Sequence, residues 1–126
     1  YASLANLYGD FDAAGNTAKI LQQKEDSGVF TDIAASVAAN YKAFSTDNSN
    51  WFLPAIGHLY LMFKYKLEIN AVLSAQTVGG TSFASAWYWS STECSASSAW
   101  YIYMFYGYIY FNNLTYSYRV RAISAI

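Results

Sequence analysis

The segment that most constrains the fold of this chain lies between Cys94 and Tyr118, where no charged residue occurs and seven of the thirteen tyrosines are found. Its residues alternate in character, which predicts an extended strand whose side chains point to opposite faces of a sheet. One face has the composition of an ordinary core and carries Trp100, Ile102 and Met104. The other face is too aromatic for a water-facing surface without a role and carries Tyr101, Tyr103 and Phe105.

The second face has the chemistry of a binding surface. Tyrosine offers a large, stiff contact area at low entropic cost, and serine, glycine and asparagine add adaptable hydrogen bonds, as in antibody paratopes. Polar residues are interleaved with the tyrosines of this segment, namely Asn112, Asn113, Thr115 and Ser117. We therefore predict ligand binding here. The alternative, a core or an oligomer seam, stays open because Tyr and Phe are also good strand formers.

The length of 126 residues predicts a single domain, residues 1–126. Hydrophobic residues make up 55% of the chain and charged residues 12%, against about a quarter charged in typical domains. This balance predicts a folded chain whose aromatic residues are partly covered by a partner or by a parent protein, of which we expect it to be the C-terminal part. The net charge of -1 and the scattered Lys and Arg argue against nucleic-acid binding. No apolar run is long enough to cross a bilayer.

The chain changes from helical to strand periodicity near the glycine pair at 79–80. This order predicts an α+β fold with helices in the N-terminal half and antiparallel strands in the C-terminal half. The predicted helices span residues 13–23, 33–41, from after Pro54 to about 64, and 68–75. Asp12 and Asp32 are suited to cap the first two helices. The second helix would bury one face at four-residue spacing, formed by Ile33, Val37 and Tyr41.

The strand predictions follow from short aromatic and β-branched runs bounded by turn residues. The predicted strands span residues 51–53, 87–91, 100–105, 108–111 and 118–123. The polar segment 45–50 is predicted to be a loop, and Tyr106-Gly107 a turn between two strands.

The residues that could carry catalysis or bind a metal are isolated in the sequence. His58, the only histidine, would have to serve in any Ser-His-Asp or Cys-His arrangement, but its position in the first turns of a helix is typical of a partly exposed, inert side chain. Cys94 has no basic neighbour in sequence to lower its pKa. Segment 10–16 begins like a calcium loop but lacks the third ligand and the closing glutamate, so a solvated turn is predicted. We therefore expect no enzymatic activity, no metal and no cofactor.

Arg119 and Arg121 fall on one side of a predicted strand, in an aromatic and uncharged part of the chain. One interpretation is anion recognition. The other is structural, with a partly buried guanidinium that organises loops by donating to carbonyls or to a carboxylate such as Glu93. We favour the structural interpretation, because an arginine without a partner is costly to bury.

Short motifs in a fixed order resemble those of a known family. They are Trp-Phe-Leu-Pro at 51–54, Tyr-Trp-Ser-Ser-Thr-Glu at 88–93, Ala-Trp at 99–100 and Arg-Val-Arg-Ala-Ile at 119–123. Together they are similar to the variable proteins of diversity-generating retroelements, over roughly residues 12–126. The resemblance implies a divergent C-type-lectin-like fold of the formylglycine-generating-enzyme subtype. It also implies a noncatalytic receptor-recognition function, outside the cell on a phage particle or bacterial surface, with a hypervariable Tyr-rich face.

The resemblance also explains the unusual composition. In that family a reverse transcriptase scrambles the adenines of a template repeat, chiefly at Asn codons of the AAC type. Such a codon can become Tyr, Phe, Ser or Cys, among others, but not Lys, Glu, Gln, Met or Trp, and none of these five occurs in 105–118. Trp100, Ile102 and Met104 would then be fixed scaffold. The implied variable, ligand-binding positions are Tyr101, Tyr103, Phe105, Tyr106, Tyr108, Tyr110, Phe111, Asn112, Asn113, Tyr116 and Tyr118.

The sequence departs from the family pattern in some places. His58 stands where such relatives usually show an acid after the Leu-Pro motif. The calcium- and sugar-binding motifs of true C-type lectins and the paired cysteines of formylglycine-generating enzymes are absent from the sequence. The implied partner is a protein or glycan on a cell surface, and self-association is compatible with the resemblance. The alternative is a fixed-specificity bacterial adhesin or glycan-binding domain of the same fold.

Overall fold

The computed structural model of the chain describes residues 4–27, 33–42, 50–75 and 80–124. Helices dominate the N-terminal half of these ranges and antiparallel strands the C-terminal half, so the predicted α+β organisation is confirmed. The helices are a 3-10 helix at Leu4–Gly9, α1 at Ala13–Ser27, α2 at Ala34–Ala39, α3 at Ile56–Lys64 and α4 at Lys66–Ala75.

Two antiparallel sheets are present in the described part of the chain. Their strands are β1 at Trp51–Phe52, β2 at Trp87–Ser95, β3 at Ser98–Tyr103, β4 at Tyr108–Asn113 and β5 at Ile123–Ser124. The larger sheet has the order β2-β3-β4, and β1 pairs with β5 in the smaller one. The prediction of a strand at 118–123 is wrong over most of its length. Only Arg119 forms a bridge, to Tyr88, before the chain leaves the larger sheet and pairs with β1.

The first helix begins where its capping residue predicts. Asp12 accepts a hydrogen bond from the N–H of Gly15 at its Oδ1 atom, at 2.9 Å, which satisfies one of the open donors of the first turn. The helix continues to Ser27, four residues beyond the predicted end. The second predicted cap, Asp32, lies outside the described residues, as does most of the predicted loop at 45–50.

The predicted buried face of the second helix is wrong. Val37 and Tyr41 are about half exposed, whereas Ala35 and Ala38 are buried. These two alanines pack in a cluster with Leu53, which Ile20 and Val120 border. Small side chains let α2 approach its neighbours closely, so the helix is held by its alanines rather than by its larger apolar residues.

The third and fourth helices form close to the predicted positions. Ile56 and Leu59 are fully buried and Phe63 packs at the edge of the same core, as expected. The fourth helix begins two residues before the predicted position and none of its residues is buried. It contacts the chain that leads into β2, because the Oδ1 atom of Asn70 accepts a hydrogen bond from the N–H of Phe83 at 2.8 Å.

The main core lies between α3 and one face of the larger sheet. Strand β3 and the residue after it supply its centre, with Trp100 at 6% exposure and Ile102 and Met104 at 0%. The alternation predicted for this strand is therefore confirmed on its core side. The remaining buried members of the cluster are Leu7, Ile56, Leu59 and Tyr88.

A partly buried polar network ties the turn at Asp10 to the sheet. Asp10 accepts a hydrogen bond from the hydroxyl of Thr92 at 2.7 Å, and the same hydroxyl oxygen accepts one from the N–H of Ile56 at 2.9 Å. Asn16 and the N–H of Asp12 donate to the Asp10 carboxylate as well. The predicted solvated turn at 10–16 is thus a turn into a helix, as expected, but its first acid joins α1, α3 and β2.

We predict that Asp10 makes the stability of the fold sensitive to acid. Partial burial acts to raise the pKa of Asp10, but its hydrogen bonds, together with the charge of His58, outweigh burial and hold that pKa below its ordinary value. A carboxylate with a lowered folded pKa contributes stability that is complete above about pH 4 and is lost as the pH falls further. Asp10→Asn should lower the free energy of unfolding at pH 7 by about 1–3 kcal/mol.

The variant should also lose less additional stability between neutral and acid pH than the parent. Urea unfolding at a series of pH values measures both effects, with Glu68→Gln on the exposed side of α4 as the control. If the free energy of unfolding of Asp10→Asn falls as steeply with acid as that of the parent, Asp10 is not the source of the acid sensitivity.

We predict that Gly107 cannot be replaced without cost. It lies in the turn between β3 and β4 with φ at 78°, in the left-handed region, and a Cβ atom there would overlap the ring of Phe63. Gly107→Ala should therefore lower stability by about 1–3 kcal/mol. Thermal unfolding tests this against Gly9→Ala, since an added Cβ at Gly9 meets nothing within 4 Å. Equal effects of the two variants would show that the turn is not constrained.

Candidate functional site

The register of the larger sheet brings aromatic side chains into rows on the face that points away from the core. Directly paired residues of antiparallel strands share a face and touch. The first row consists of Trp87, Tyr103 and Tyr108, and the second of Trp89, Tyr101 and Tyr110. We call these six side chains, together with Phe105, Tyr106, Tyr116 and Tyr118, the aromatic surface.

The rows are held together by ring contacts. Trp87 stacks on Tyr103 with ring centroids 4.8 Å apart and planes 16° apart. Tyr118 crosses from the segment after β4 and lies 4.7 Å from the ring of Trp89 and 4.8 Å from that of Tyr101. Trp89 is thereby buried and forms the floor of the surface. Partial burial raises the pKa of Tyr101, and the neighbouring Tyr118 contributes to the same rise.

The turn between β3 and β4 continues the surface at one end. The ring of Tyr106 stacks on that of Tyr108 at 5.4 Å and contacts that of Phe105 at 4.5 Å. The ammonium group of Lys66 donates to the carbonyl of Met104 at 2.9 Å and lies 5.8 Å from the ring centre of Phe105. The turn is therefore anchored to the start of α4 rather than held by the strands alone.

Much of the aromatic surface is open to solvent. Six of its side chains are between 45% and 67% exposed, namely Trp87, Phe105, Tyr106, Tyr108, Tyr110 and Tyr116. At roughly 200 Å² for each aromatic side chain, they expose about 600–700 Å². This area is at or above the largest apolar patch of an ordinary monomer, which is about 300–600 Å². None of the ten side chains of the surface is charged.

The structure brings together ten of the eleven predicted site residues. Asn112 lies on the same face as Tyr110 and donates from its Nδ2 atom to the hydroxyl of Tyr118 at 3.1 Å. Phe111 pairs with Trp100 in β3, on the other face, but its ring stacks on that of Tyr110 with centroids 5.1 Å apart and planes 8° apart. Asn113 pairs with Ser98 and does not join them. Whether the eleven residues bind a ligand stays a prediction.

Trp87 and Trp89 belong to the surface but were not predicted from the sequence. Their signal was the alternation around Tyr88, whose side chain is buried in the core at 3% exposure. A single strand does not reveal which strand will pair with it, and only the register with Tyr103 and Tyr101 shows that both tryptophans join the tyrosines.

A groove of about 460 Å³ adjoins the aromatic surface. It lies between α1 and α2 on one side and β2 with segment 114–120 on the other, and it shares Trp89, Tyr116 and Tyr118 with the surface. Its lining mixes apolar and polar groups, and Glu93 supplies a carboxylate.

The two residues considered for catalysis occupy structural positions. His58 accepts a hydrogen bond at its Nδ1 atom from the N–H of Ala55 at 3.2 Å, at the start of α3. Partial burial lowers the pKa of His58, although the charge of Asp10 opposes this. Burial raises the pKa of the Cys94 thiol, which disfavours a reactive thiolate. Within the described ranges, no group of three His, Cys, Asp or Glu side chains is placed to hold a metal ion.

The two arginines near the C-terminus differ in role. Arg121 donates from Nη2 to the carbonyl of Ser82 at 3.3 Å, and its guanidinium lies 4.6 Å from the ring centre of Phe83. These contacts agree with the structural interpretation for Arg121. Arg119 pairs through its backbone with Trp87 and Trp89, and its side chain is exposed.

Comparisons of the chain with protein-family models, with curated proteins and with solved structures find no match. None of the described helices is long and apolar enough to cross a bilayer.

We predict that the two faces of the larger sheet respond oppositely to substitution. Trp100→Ala empties a large core site and should lower the free energy of unfolding by about 3–5 kcal/mol. Replacing Tyr106, Tyr108 and Tyr110 together by Ser should lower it by about 1 kcal/mol or less, because these side chains are mostly exposed. Urea unfolding compares the two variants. A triple variant as unstable as Trp100→Ala would mean that these tyrosines support the fold.

Proposed function

We propose that this chain is a noncatalytic ligand-binding domain that recognises a receptor through its aromatic surface. The observation that carries the proposal is the exposure of about 600–700 Å² of uncharged aromatic side chain on the face of the sheet that the core does not use. Keeping such an area in water is unfavourable unless a partner covers it for part of the time.

The contacts within the aromatic surface suit recognition. Rings that already stack on one another, such as Tyr106 on Tyr108, lose little conformational freedom when a ligand binds. Their hydroxyl groups add directional hydrogen bonds at the edge of an apolar contact, which is the combination that tyrosine-rich paratopes use. Affinity then depends on the choice of side chains and requires neither a metal nor a cofactor.

The placement of His58 and Cys94 supports a function without catalysis. The histidine uses its Nδ1 atom to cap α3, and the thiol has a raised pKa. Neither side chain belongs to the aromatic surface. A general base or nucleophile would have to be within hydrogen-bond reach of a bound substrate.

The fold that we propose is C-type-lectin-like, and the diversification that we propose is that of retroelement variable proteins. Burial supports this assignment, because Trp100 and Met104, which an Asn codon cannot become, are in the core. The positions with the greatest exposure among the large apolar residues of the segment, Tyr106, Tyr108 and Tyr110, are all reachable outcomes. On this proposal the domain acts outside the cell, on a phage particle or bacterial surface, and its ligand is a protein or glycan of a cell surface.

A fixed-specificity adhesin of the same fold is the second candidate. Trp87 favours it, because this side chain is 45% exposed within the aromatic surface and cannot arise from the scrambling of an Asn codon. A fixed aromatic ring is the usual platform on which a sugar ring stacks. In the leading proposal Trp87 is instead a constant anchor among variable neighbours.

We predict that the gene separates these two candidates. Sequencing a few kilobases around the locus should reveal a near-copy of the segment that encodes residues 89–126, close to a reverse transcriptase gene. Mismatches between the two copies should fall almost only at adenines of the template, because the enzyme scrambles that base. They should translate to exposed positions such as Tyr108 and Tyr110 and leave Trp100 and Met104 unchanged.

The control is the rest of the gene, which should have no second copy. A locus without a near-copy, or with mismatches spread over all four bases, would reject the retroelement and leave the fixed adhesin.

A further inference from the structure

Strand β4 is an edge of the larger sheet. The order β2-β3-β4 leaves one side of β4 without a neighbour among the described strands, whereas the free side of β2 is bridged by Arg119. An edge strand carries a row of backbone donors and acceptors that another strand can pair with.

The register identifies which backbone groups of β4 face outward. The N–H of Leu114 donates to the carbonyl of Ser97 at 2.9 Å, and hydrogen-bonded and non-hydrogen-bonded pairs alternate along an antiparallel ladder. Tyr108, Tyr110 and Asn112 therefore direct their backbone groups toward β3. The residues between them, beginning with Ile109 and Phe111, direct theirs toward the open edge.

The open edge ends at Asn113. Its N–H donates to the side chain of Asn112 at 2.8 Å, and its carbonyl accepts from the N–H of Tyr116 at 3.2 Å. These local bonds use the groups that would otherwise face outward. The part of β4 that is ready to pair is thus short and is centred on Tyr110.

The features that usually protect an edge strand are missing from β4. It contains no proline and no charged residue, and its six pairs with β3 follow one another without a bulge. Charged side chains, prolines and bulges are the means by which sheet edges avoid pairing with other chains. By contrast, the pairing of β2 with β3 is interrupted twice.

We propose that β4 pairs antiparallel with β4 of a second copy of this chain, with Tyr110 on the twofold axis. Ile109 then exchanges two backbone hydrogen bonds with Phe111 of the partner subunit, and the symmetry repeats this exchange. A twofold contact sets a surface against itself, so any charge in β4 would approach its own copy. The absence of charge from β4 and from the turns at both its ends suits self-pairing for this reason.

The pairing joins the two sheets into one six-stranded sheet, since each copy contributes three strands. The twofold axis is perpendicular to the sheet, so both aromatic surfaces face the same side. If the proposed function holds, the dimer offers two copies of the binding surface to one cell surface, which increases avidity. The pairing itself does not depend on that function.

The experiment uses the whole chain without any ligand, so its outcome is independent of receptor binding. Light scattering over a dilution series should show a dimer that dissociates to a monomer. In a Cys94→Ala background, Tyr110→Cys should form a disulfide-linked dimer under mild oxidation, because the two sulfurs face each other across the axis. The matched control, Tyr108→Cys, faces Asn112 of the partner subunit and should stay unlinked.

A third variant tests the charge argument. Tyr110→Lys should make the protein monomeric at concentrations where the parent is a dimer, with an unchanged circular dichroism spectrum. A parent that is monomeric at every concentration overturns the proposal. This outcome covers the case in which β4 pairs only with a strand of another protein. Equal disulfide formation by Tyr110→Cys and Tyr108→Cys would overturn the proposed register.

Discussion

The alternation of side chains along β3 is the constraint on which the rest of this structure depends. Trp100 and Ile102, with Met104 directly after the strand, fill the core on one side, and Tyr101 and Tyr103 belong to the aromatic surface on the other. A shift of one residue would exchange the two sets, since side chains in a strand change face at every position. The same strand thus contributes to the core on one face and to the aromatic surface on the other.

Two further contacts keep this sheet in place relative to the helices. The carboxylate of Asp10 and the hydroxyl of Thr92, 82 residues apart in sequence, bond to each other, and Thr92 also accepts from the start of α3. At the opposite end, Lys66 donates to the carbonyl of Met104 at the turn after β3. Neither hydrogen bond uses a side chain of the aromatic surface. Its side chains are therefore free to vary without loss of the polar bonds that position the sheet.

The features that were predicted correctly are those that depend on local sequence patterns. The class, the start of α1 at Asp12 and the core side of β3 follow from capping and from two-residue periodicity. The buried face of α2 did not follow, because Ala35 and Ala38 are buried by the closeness of neighbouring elements and not by their own hydrophobicity. Likewise, the addition of Trp87 to the aromatic surface required the register between strands. The partnership of Asp10 with Thr92 is a contact of the folded chain that no spacing in the sequence indicates.

The central claim is that stability lies in one face of the larger sheet and recognition in the other. The most direct test is a displayed library in which Tyr106, Tyr108, Tyr110 and Tyr116 are randomised together and sorted by resistance to protease. We expect most members to be as resistant as the parent and polar residues to be common among them. A library in which only members with aromatic residues at these positions survive would contradict it, because these side chains would then be part of the core.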